Sequence, residues 1–364
     1  MKKSTLIGLI CSAVAFVAIL LVATFLDLKI NIALGNADSI FGQYGRMWGE
    51  FFGWVLIPIG AMILFAAADK TSKLGIALKV IWSVITLVGW YLTVDYVLDQ
   101  FTGHSYIEGI YSSPYRAIIL YSITIAIVLT AWSLWSISKV KQETLSKLVL
   151  FAGAMLIALA LSQLCCEVLK RVWTRQRFRN LDIGNGGTSS EGFTPWYKPN
   201  FGKNKSAMTY YVEDSAGMKL SDAYKSFPSG HTSGAAMTFI IIMLPDLFER
   251  LKKYKVWFYV VPILITVAVG ISRIVNRAHY LSDTLFGGTI GAGCVFAARA
   301  IIYAIHKATK KNPKLARFSA ICGAGGIIEE SAEEPAVIEE TSVEDAPAES
   351  APVDGNNEEN KTEE

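Results

Sequence analysis

The sequence predicts an all-α integral membrane protein, a bundle of about eight transmembrane helices, and three observations carry that expectation. Of 364 residues, 52% are hydrophobic and only 18% charged, with a mean hydropathy of +0.38; a soluble domain carries about a quarter of its residues as Asp, Glu, Lys and Arg. Stretches free of those four residue types recur at lengths suited to a hydrocarbon core about 30 Å thick, which needs about 20 apolar residues per helix and tolerates about 17. The connecting segments also differ sharply in Lys and Arg content, as the cytoplasmic bias of basic residues requires. Composition therefore excludes a water-soluble globular enzyme, a collagen-like chain and a wholly disordered one.

The first apolar run covers 4–26. Met1-Lys2-Lys3 before it resembles the start of a secretory leader, but the run is longer than a leader's apolar region of about 7–15 residues, and no convincing small-x-small cleavage site follows it. Runs at 51–68, 80–94 and 117–138 complete a group of four N-terminal spans within 1–140. The fifth run is 148–166; the sixth and eighth, around 230–245 and 284–298, flank the seventh at 256–272. The shorter runs lengthen when a flanking Lys79 or Arg299 extends its charge to the headgroups. Residues 148–306 thus form a second group, interrupted by the polar segment 178–227, and polar loops of that length usually serve a function or stay disordered. From 319 to 364 the chain reads as a disordered, acidic, cytoplasmic tail. Residues 329–364 hold 14 of the 31 acidic residues and one lysine, Lys361, leaving 33 basic against 17 acidic residues in 1–328.

The loops set the orientation. With the N-terminus inside, the cytoplasmic segments 1–4, 69–79, 139–147, 249–255 and 306–318 carry 17 Lys and Arg, while the first two outer loops hold Lys29, Arg46 and Arg116. Both termini are therefore expected in the cytoplasm of a multi-pass cell-membrane protein. Lys307, Lys310, Lys311, Lys314 and Arg317 read as a topological anchor beside anionic lipid. One outer segment runs against the bias: Lys170, Arg171, Arg175, Arg177 and Arg179 fall within ten residues, joined by Arg273 and Arg277 between the last two spans. Composition alone reads the first group as a collar for lipid headgroups; basic residues gathered at one face against the topological rule also look like an anion site at the outer membrane face.

Three short segments meet at that face. Lys170 is followed, after six intervening residues, by Arg177; Pro228-Ser229-Gly230-His231 opens the sixth span; Ser272-Arg273, His279 and Asp283 bridge the seventh and eighth. Phosphoryl transfer explains each part. A phosphate ester spreads negative charge over its oxygens, so its site needs fixed cations and N–H donors. Lys170, Arg177 and Arg273 supply charge, Arg in bidentate form. Backbone N–H groups after Pro228 at a helix start add donors, and Gly230 permits close approach. Transfer to water without a metal needs a nucleophile and an acid. Four-residue spacing on a helix puts His279 and Asp283 on one face, so Asp283 could hold one imidazole nitrogen protonated and leave the other to attack phosphorus. His231, from another helix, could protonate the leaving oxygen.

These segments resemble the signature of the type 2 phosphatidic acid phosphatase superfamily: Lys, six residues, Arg-Pro; Pro-Ser-Gly-His; and Ser-Arg, five residues, His, three residues, Asp. The second and third match at every defined position, and the first departs once, with Phe178 where the family has Pro; Arg175 matches the Arg-x-Arg form common there. The resemblance covers about 148–306. It implies a helical bundle with a metal-independent site in which His279 forms a phosphohistidine, Asp283 orients it and His231 is the general acid, while Lys170, Arg177, Ser229, Gly230 and Arg273 bind phosphate. Membrane members dephosphorylate lipid phosphates such as phosphatidic acid, phosphatidylglycerol phosphate, prenyl diphosphates and lipid A. The expected substrate is therefore a lipid phosphate or diphosphate, with a bacterial undecaprenyl diphosphate phosphatase of cell-wall metabolism the leading specific reading. A lipid phosphotransferase of the same fold and a non-catalytic lipid-binding or transport protein are the alternatives.

No metal, cofactor or nucleic-acid partner is expected. Cys11, Cys165, Cys166 and Cys294 lie in apolar runs and Cys322 near the tail, with no Cys-x-x-Cys spacing, so neither a disulfide framework nor a zinc site is called for. In the long loop, Trp196, Tyr197, Tyr210 and Tyr211 either line a lipid entrance or sit as an interfacial aromatic belt. Lys198, Lys203, Lys205, Lys219 and Lys225 either attract an anionic headgroup or solvate the loop. His104 and His306 match no motif.

Overall fold

The computed structural model describes residues 3–102, 114–203, 220–312, 316 and 321. The acidic tail apart from Ile321, together with His104, Lys205, Tyr210, Tyr211, Lys219, Lys314, Arg317 and Cys322, lies outside the described residues. Every regular element among those residues is helical: α1 (Lys3–Leu34), α2 (Ile40–Gly49), α3 (Phe51–Trp54), α4 (Leu56–Ala67), α5 (Lys73–Thr102), α6 (Pro114–Ile137), α7 (Gln142–Trp173), α8 (Leu220–Ala223), α9 (Gly230–Ala236), α10 (Leu244–Leu247), α11 (Trp257–Val275) and α12 (Leu281–Lys311), with short 3-10 turns between some of them. Seven segments are long and apolar enough to cross a membrane: Ile10–Leu34, Ile40–Ala67, Lys73–Phe101, Ala117–Ile137, Gln142–Asn180, Trp257–Val275 and Leu281–Thr309. The protein is a multi-pass membrane protein, and large apolar side chains such as Val14, Phe25, Leu120, Val128, Leu164 and Leu264 stand exposed on its surface, as a lipid-facing surface requires.

The sixth expected span is built differently. Residues 230–247 form α9, a 3-10 stretch Met237–Met243 and then α10. A 3-10 turn rises about 2.0 Å per residue against about 1.5 Å in an α-helix, so the stretched segment reaches about 30 Å with a chain too short to do so as pure α-helix. Among the described residues, six of the seven candidate spans are thus built on one long helix each, Ile40–Ala67 is divided into α2, α3 and α4, and 230–247 is a broken segment in place of the expected sixth helix. The broken segment is a core element, with Met237, Ile240 and Met243 fully buried against Phe151, Met155 and Val295.

α7 and α12 pack along each other, α4 sits between α5 and α7, and α6 lies outside against α5. A second apolar cluster of Ile63, Ala67, Leu145, Val149 and Ala152 joins α4 to α7 at the opposite end from α9. α2 lies on α11, while α1 lies on α12. Glycines allow α2 so close: a Cβ at Gly45 would sit 1.9 Å from Ser272 Oγ, and one at Gly49 would sit 2.9 Å from His231 Cβ. Small residues at such spacing let backbones approach where lipid offers no hydrophobic drive for association. The C-terminal ends of α7 and α11 and the N-terminal ends of α9 and α12 consequently converge at one end of the bundle, with the α2–α3 junction beside them.

Candidate active site

The eight residues singled out in the sequence gather at this end. α7 stops where Thr174 takes a left-handed conformation (φ 40°) and its N–H caps the Lys170 carbonyl at 3.0 Å. The chain then doubles back, and Arg177 N–H donates to the Ala223 carbonyl at 2.8 Å. Arg177 itself is extended (φ −72°, ψ 147°), the backbone that a following proline would impose. Phe178 thus keeps the geometry expected of the family's proline, and its ring packs edge-on against Tyr280. Ser229 is the N-cap of α9: its hydroxyl accepts from Thr232 N–H and from Thr232 Oγ1, the latter at 2.9 Å. A side chain at Gly230 would lie 3.3 Å from Lys170 Nζ, so Lys170 overlooks the start of α9; it also pairs with Glu167 at 2.9 Å.

His279 is buried and fully engaged. Its Nδ1 lies 2.6 Å from the Ser226 carbonyl, and its Nε2 lies 3.0 Å from Arg177 Nη1. A carbonyl can only accept, so Nδ1 carries the proton and Nε2 the lone pair. Burial, reinforced by the charge of Arg177, pushes the His279 pKa down to about 3, which keeps the ring neutral at physiological pH. The expected Asp283 partnership takes another form. α12 begins only at Leu281, so His279 precedes the helix rather than sharing a helical face, and Asp283 Oδ2 stays 3.9 Å from Nδ1, too far for a hydrogen bond. Asp283 instead accepts from Ser226 Oγ at 2.5 Å and from Tyr280 N–H at 2.9 Å. It therefore fixes the backbone that presents the Ser226 carbonyl to the imidazole.

Arg273 closes the site from α11. It is 1% exposed, and its Nε and Nη1 have no hydrogen-bond partner among the described residues. It stands within electrostatic reach of His231, His279 and Arg177. His231 Nε2 is likewise buried and unpartnered, and the two histidine rings lie 6.4 Å apart. Unsatisfied buried donors cost free energy, and Arg273 leaves two of them near both imidazoles.

Several residues of the site were not singled out in the sequence. Asp27 of α1 binds Arg175 Nη2 at 3.0 Å and Ser282 N–H at 3.0 Å, and its carboxylate also receives the Ser282 hydroxyl. Arg175 in turn donates to Asp283 at 2.6 Å and lies 4.1 Å from the Tyr280 ring centroid. Asn31 of α1 donates to the His279 carbonyl at 3.0 Å. Glu50, between α2 and α3, lies 3.1 Å from His231 Nδ1. Asp222 of α8 pairs with Arg177 at 3.1 Å and Arg179 at 3.4 Å; burial raises its pKa, but these two arginines outweigh burial and hold it below the usual carboxylate range. A signal for the first and third existed: Asp27 and Glu50 border the first two charge-free runs, and ionisable groups at such places are costly unless they work. Among the loop aromatics, Trp196 is pinned rather than free, donating to Thr24 Oγ1 at 3.0 Å while its carbonyl accepts from Trp173 Nε1 at 2.5 Å.

The model of the PAP2 superfamily matches residues 151–307, the stretch that carries all three motifs. This segment belongs to the PAP2 superfamily. A protein described as "Probable lipid phosphate phosphatase 4" from Arabidopsis thaliana is 38% identical over 78 residues, 20% of this chain and 25% of that protein. Phosphatidylglycerophosphatase B from Bacillus subtilis (strain 168) is 38% identical over 68 residues, 18% of this chain and 34% of that protein. The chain thus aligns with a quarter to about a third of the length of these PAP2-type relatives. No solved structure matches.

Proposed function

We propose that this protein is a membrane lipid phosphatase that works through a phosphohistidine, without a metal. The observation that carries the reading is the buried Arg273 guanidinium, without a hydrogen-bond partner on two nitrogens among the described residues and within electrostatic reach of both His231 and His279. Phosphate oxygens satisfy it, with Lys170 and Arg177 as further cations and the α9 turn at Ser229 and Gly230 beneath. As phosphate enters, Arg177 transfers its N–H from His279 Nε2 to a phosphate oxygen and frees the lone pair. Nε2 attacks phosphorus; the bond from phosphorus to the leaving oxygen breaks, and that oxygen takes its electron pair and a proton from His231 Nε2. His231, now neutral, accepts a proton from water as the water oxygen attacks phosphorus. The P–N bond breaks, its electrons return to His279 and inorganic phosphate departs. Backbone fixation by Asp283 keeps the proton on Nδ1 throughout.

The substrate is a lipid bearing a terminal phosphate or diphosphate. Undecaprenyl diphosphate is the leading specific candidate, because the positive-inside reading puts the site on the outer face, where a carrier released after export must lose a phosphate. Assay of the purified full chain in detergent against phosphatidic acid, phosphatidylglycerol phosphate and prenyl diphosphates tests both levels. Phosphate release from lipid alone supports hydrolysis, and release of the lipid moiety only when a second alcohol is supplied makes the protein a phosphotransferase. No turnover on any of them leaves a lipid-binding protein. For sidedness, Ser190→Cys and Lys253→Cys in a cysteine-free background should react with an impermeant thiol reagent from outside and inside respectively; the reverse pattern overturns the orientation.

A further inference from the structure

Glu50 belongs to none of the three motifs and lies outside the PAP2 segment. Its Oε1 nevertheless sits 3.1 Å from His231 Nδ1. The contact is built rather than incidental. Gly49 and Gly234 have no side chain where one would collide: a Cβ at Gly49 would be 2.9 Å from His231 Cβ, and one at Gly234 would be 2.9 Å from Glu50 Cα. Glu50 N–H faces Tyr96 Oη at 3.4 Å, and that hydroxyl donates to the Arg46 carbonyl at 2.8 Å, so α5 fixes the turn that carries the carboxylate. His231 Nε2, the other ring nitrogen, is buried and has no hydrogen-bond partner among the described residues, as is true of Arg273 Nε and Nη1.

The charges around His231 show why the carboxylate is needed. Burial is the largest force against a proton on the ring and lowers its pKa, Arg273 from α11 and Arg177 from the segment after α7 add to it, and Glu50 alone among the neighbours named acts the other way; Lys170 from α7 lies close to Glu50 itself. The rings of Tyr96 and His279 flank it, each 6.4 Å away. A general acid in that company must hold its proton against several cations. An anion on Nδ1–H stabilises the imidazolium and turns Nε2–H toward the leaving oxygen.

We propose that Glu50 is the positioning residue of the general acid, holding His231 protonated at Nδ1 and aimed at the leaving group through Nε2. The inference rests on the phosphatase reading above. It gives the site two histidine–carboxylate units of unlike construction, and it makes the α2–α3 junction part of the catalytic apparatus. The proton balance is unchanged: the proton given to the leaving oxygen comes from His231 Nε2, and Glu50 keeps its own charge throughout.

A leaving group that needs no proton separates this role from a structural one. With the full chain in detergent, turnover is measured on an alkyl phosphate lipid and on an aryl phosphate whose phenol is strongly acidic, for wild type, His231→Ala, Glu50→Gln and Glu50→Asp. Glu50→Gln should lower kcat/KM, which reports phosphohistidine formation and not its hydrolysis, about 10–100-fold on the alkyl substrate, part of the range of general acid catalysis, and only a few-fold on the aryl one. The alkaline limb of its kcat/KM profile should move to lower pH, because loss of the anion lets the proton go sooner; Glu50→Asp should restore the limb. Equal losses on both substrates, or an unmoved limb, overturn the role of Glu50. If His231→Ala itself loses both substrates equally, the acid assignment of the phosphatase reading fails instead. If His231→Ala discriminates and Glu50→Gln does not, only the present inference falls.

Discussion

The PAP2 segment and the N-terminal helices contribute to the site in opposite currencies. Residues 151–307 hold the groups proposed to face phosphate: Lys170, Arg177, Arg273 and both histidines. α1 and the α2–α3 junction supply counter-charge and scaffolding: Asp27 on Arg175 and Ser282, Asn31 on the His279 carbonyl, Glu50 on His231. A segment so rich in buried cations is costly to assemble alone. The carboxylates that offset it arrive from a part of the chain with no motif of its own. A signature can therefore mark the atoms that touch substrate while leaving unmarked the atoms that make those positions tolerable.

The largest effect should come from within the PAP2 segment. His279→Ala removes the proposed nucleophile, and phosphate release should fall by about a thousandfold or more while the folded state persists, measured with purified protein and a lipid phosphate. Retained turnover would break the chemical half of the comparison. Next is Asp27→Ala in α1, which leaves Arg175 fully buried with Asp283 as its remaining carboxylate partner. Breaking a buried pair on one side costs about 3–5 kcal/mol, so thermal unfolding in detergent should shift strongly downward. If Asp27→Ala left stability unchanged, α1 would be an accessory helix and the comparison would lose its structural half.

A smaller effect tests how the two regions are held together. Gly45→Ala places a methyl group where Ser272 Oγ already is, so α2 must move off α11. Overpacking of this kind costs about 1–3 kcal/mol. Because α2 leads directly into Glu50, turnover should fall along with stability, and Ser272→Gly in the same chain should recover part of both. Loss of stability with turnover intact would show that α2 packs on the site without supporting it.

Much of this was legible in the residues. Six of the expected spans are long helices and the second is formed by α3 and α4, because a lipid-spanning segment must satisfy its backbone internally and so announces itself as an unbroken apolar run. The sixth reads as equally apolar at 230–245, yet hydropathy carries no information about the choice between α and 3-10 hydrogen bonding, and the break at Met237–Met243 was invisible. The site divides in the same way. Motif spacing brings together Lys170, Arg177, Ser229, Gly230, His231, Arg273, His279 and Asp283, and they do converge. The direct His279–Asp283 bond expected from four-residue spacing does not form, because α12 starts two residues after the histidine and the Ser226 carbonyl occupies Nδ1. Asp27 and Glu50 were visible as the ends of charge-free runs. Their partners, more than a hundred residues away, were not.

The gentlest test uses pH alone. In the folded protein His279 titrates at about 3 because it is buried beside Arg177, whereas an unfolded histidine titrates near 6.5. Above about pH 6.5 the ring is neutral in both states and contributes no proton linkage. As pH falls, the unfolded chain binds a proton that the folded chain refuses, so stability declines by up to about 1.4 kcal/mol per pH unit until the folded pKa is reached. His279→Gln lacks this titration. The difference in unfolding midpoint between wild type and His279→Gln should therefore shrink or reverse from pH 7 to pH 4, against the background of carboxylates common to both. A pH-independent difference would mean that the imidazole is open to water and protons, and that the carbonyl of Ser226, with Asp283 fixing it, is not what sets the state of the nucleophile.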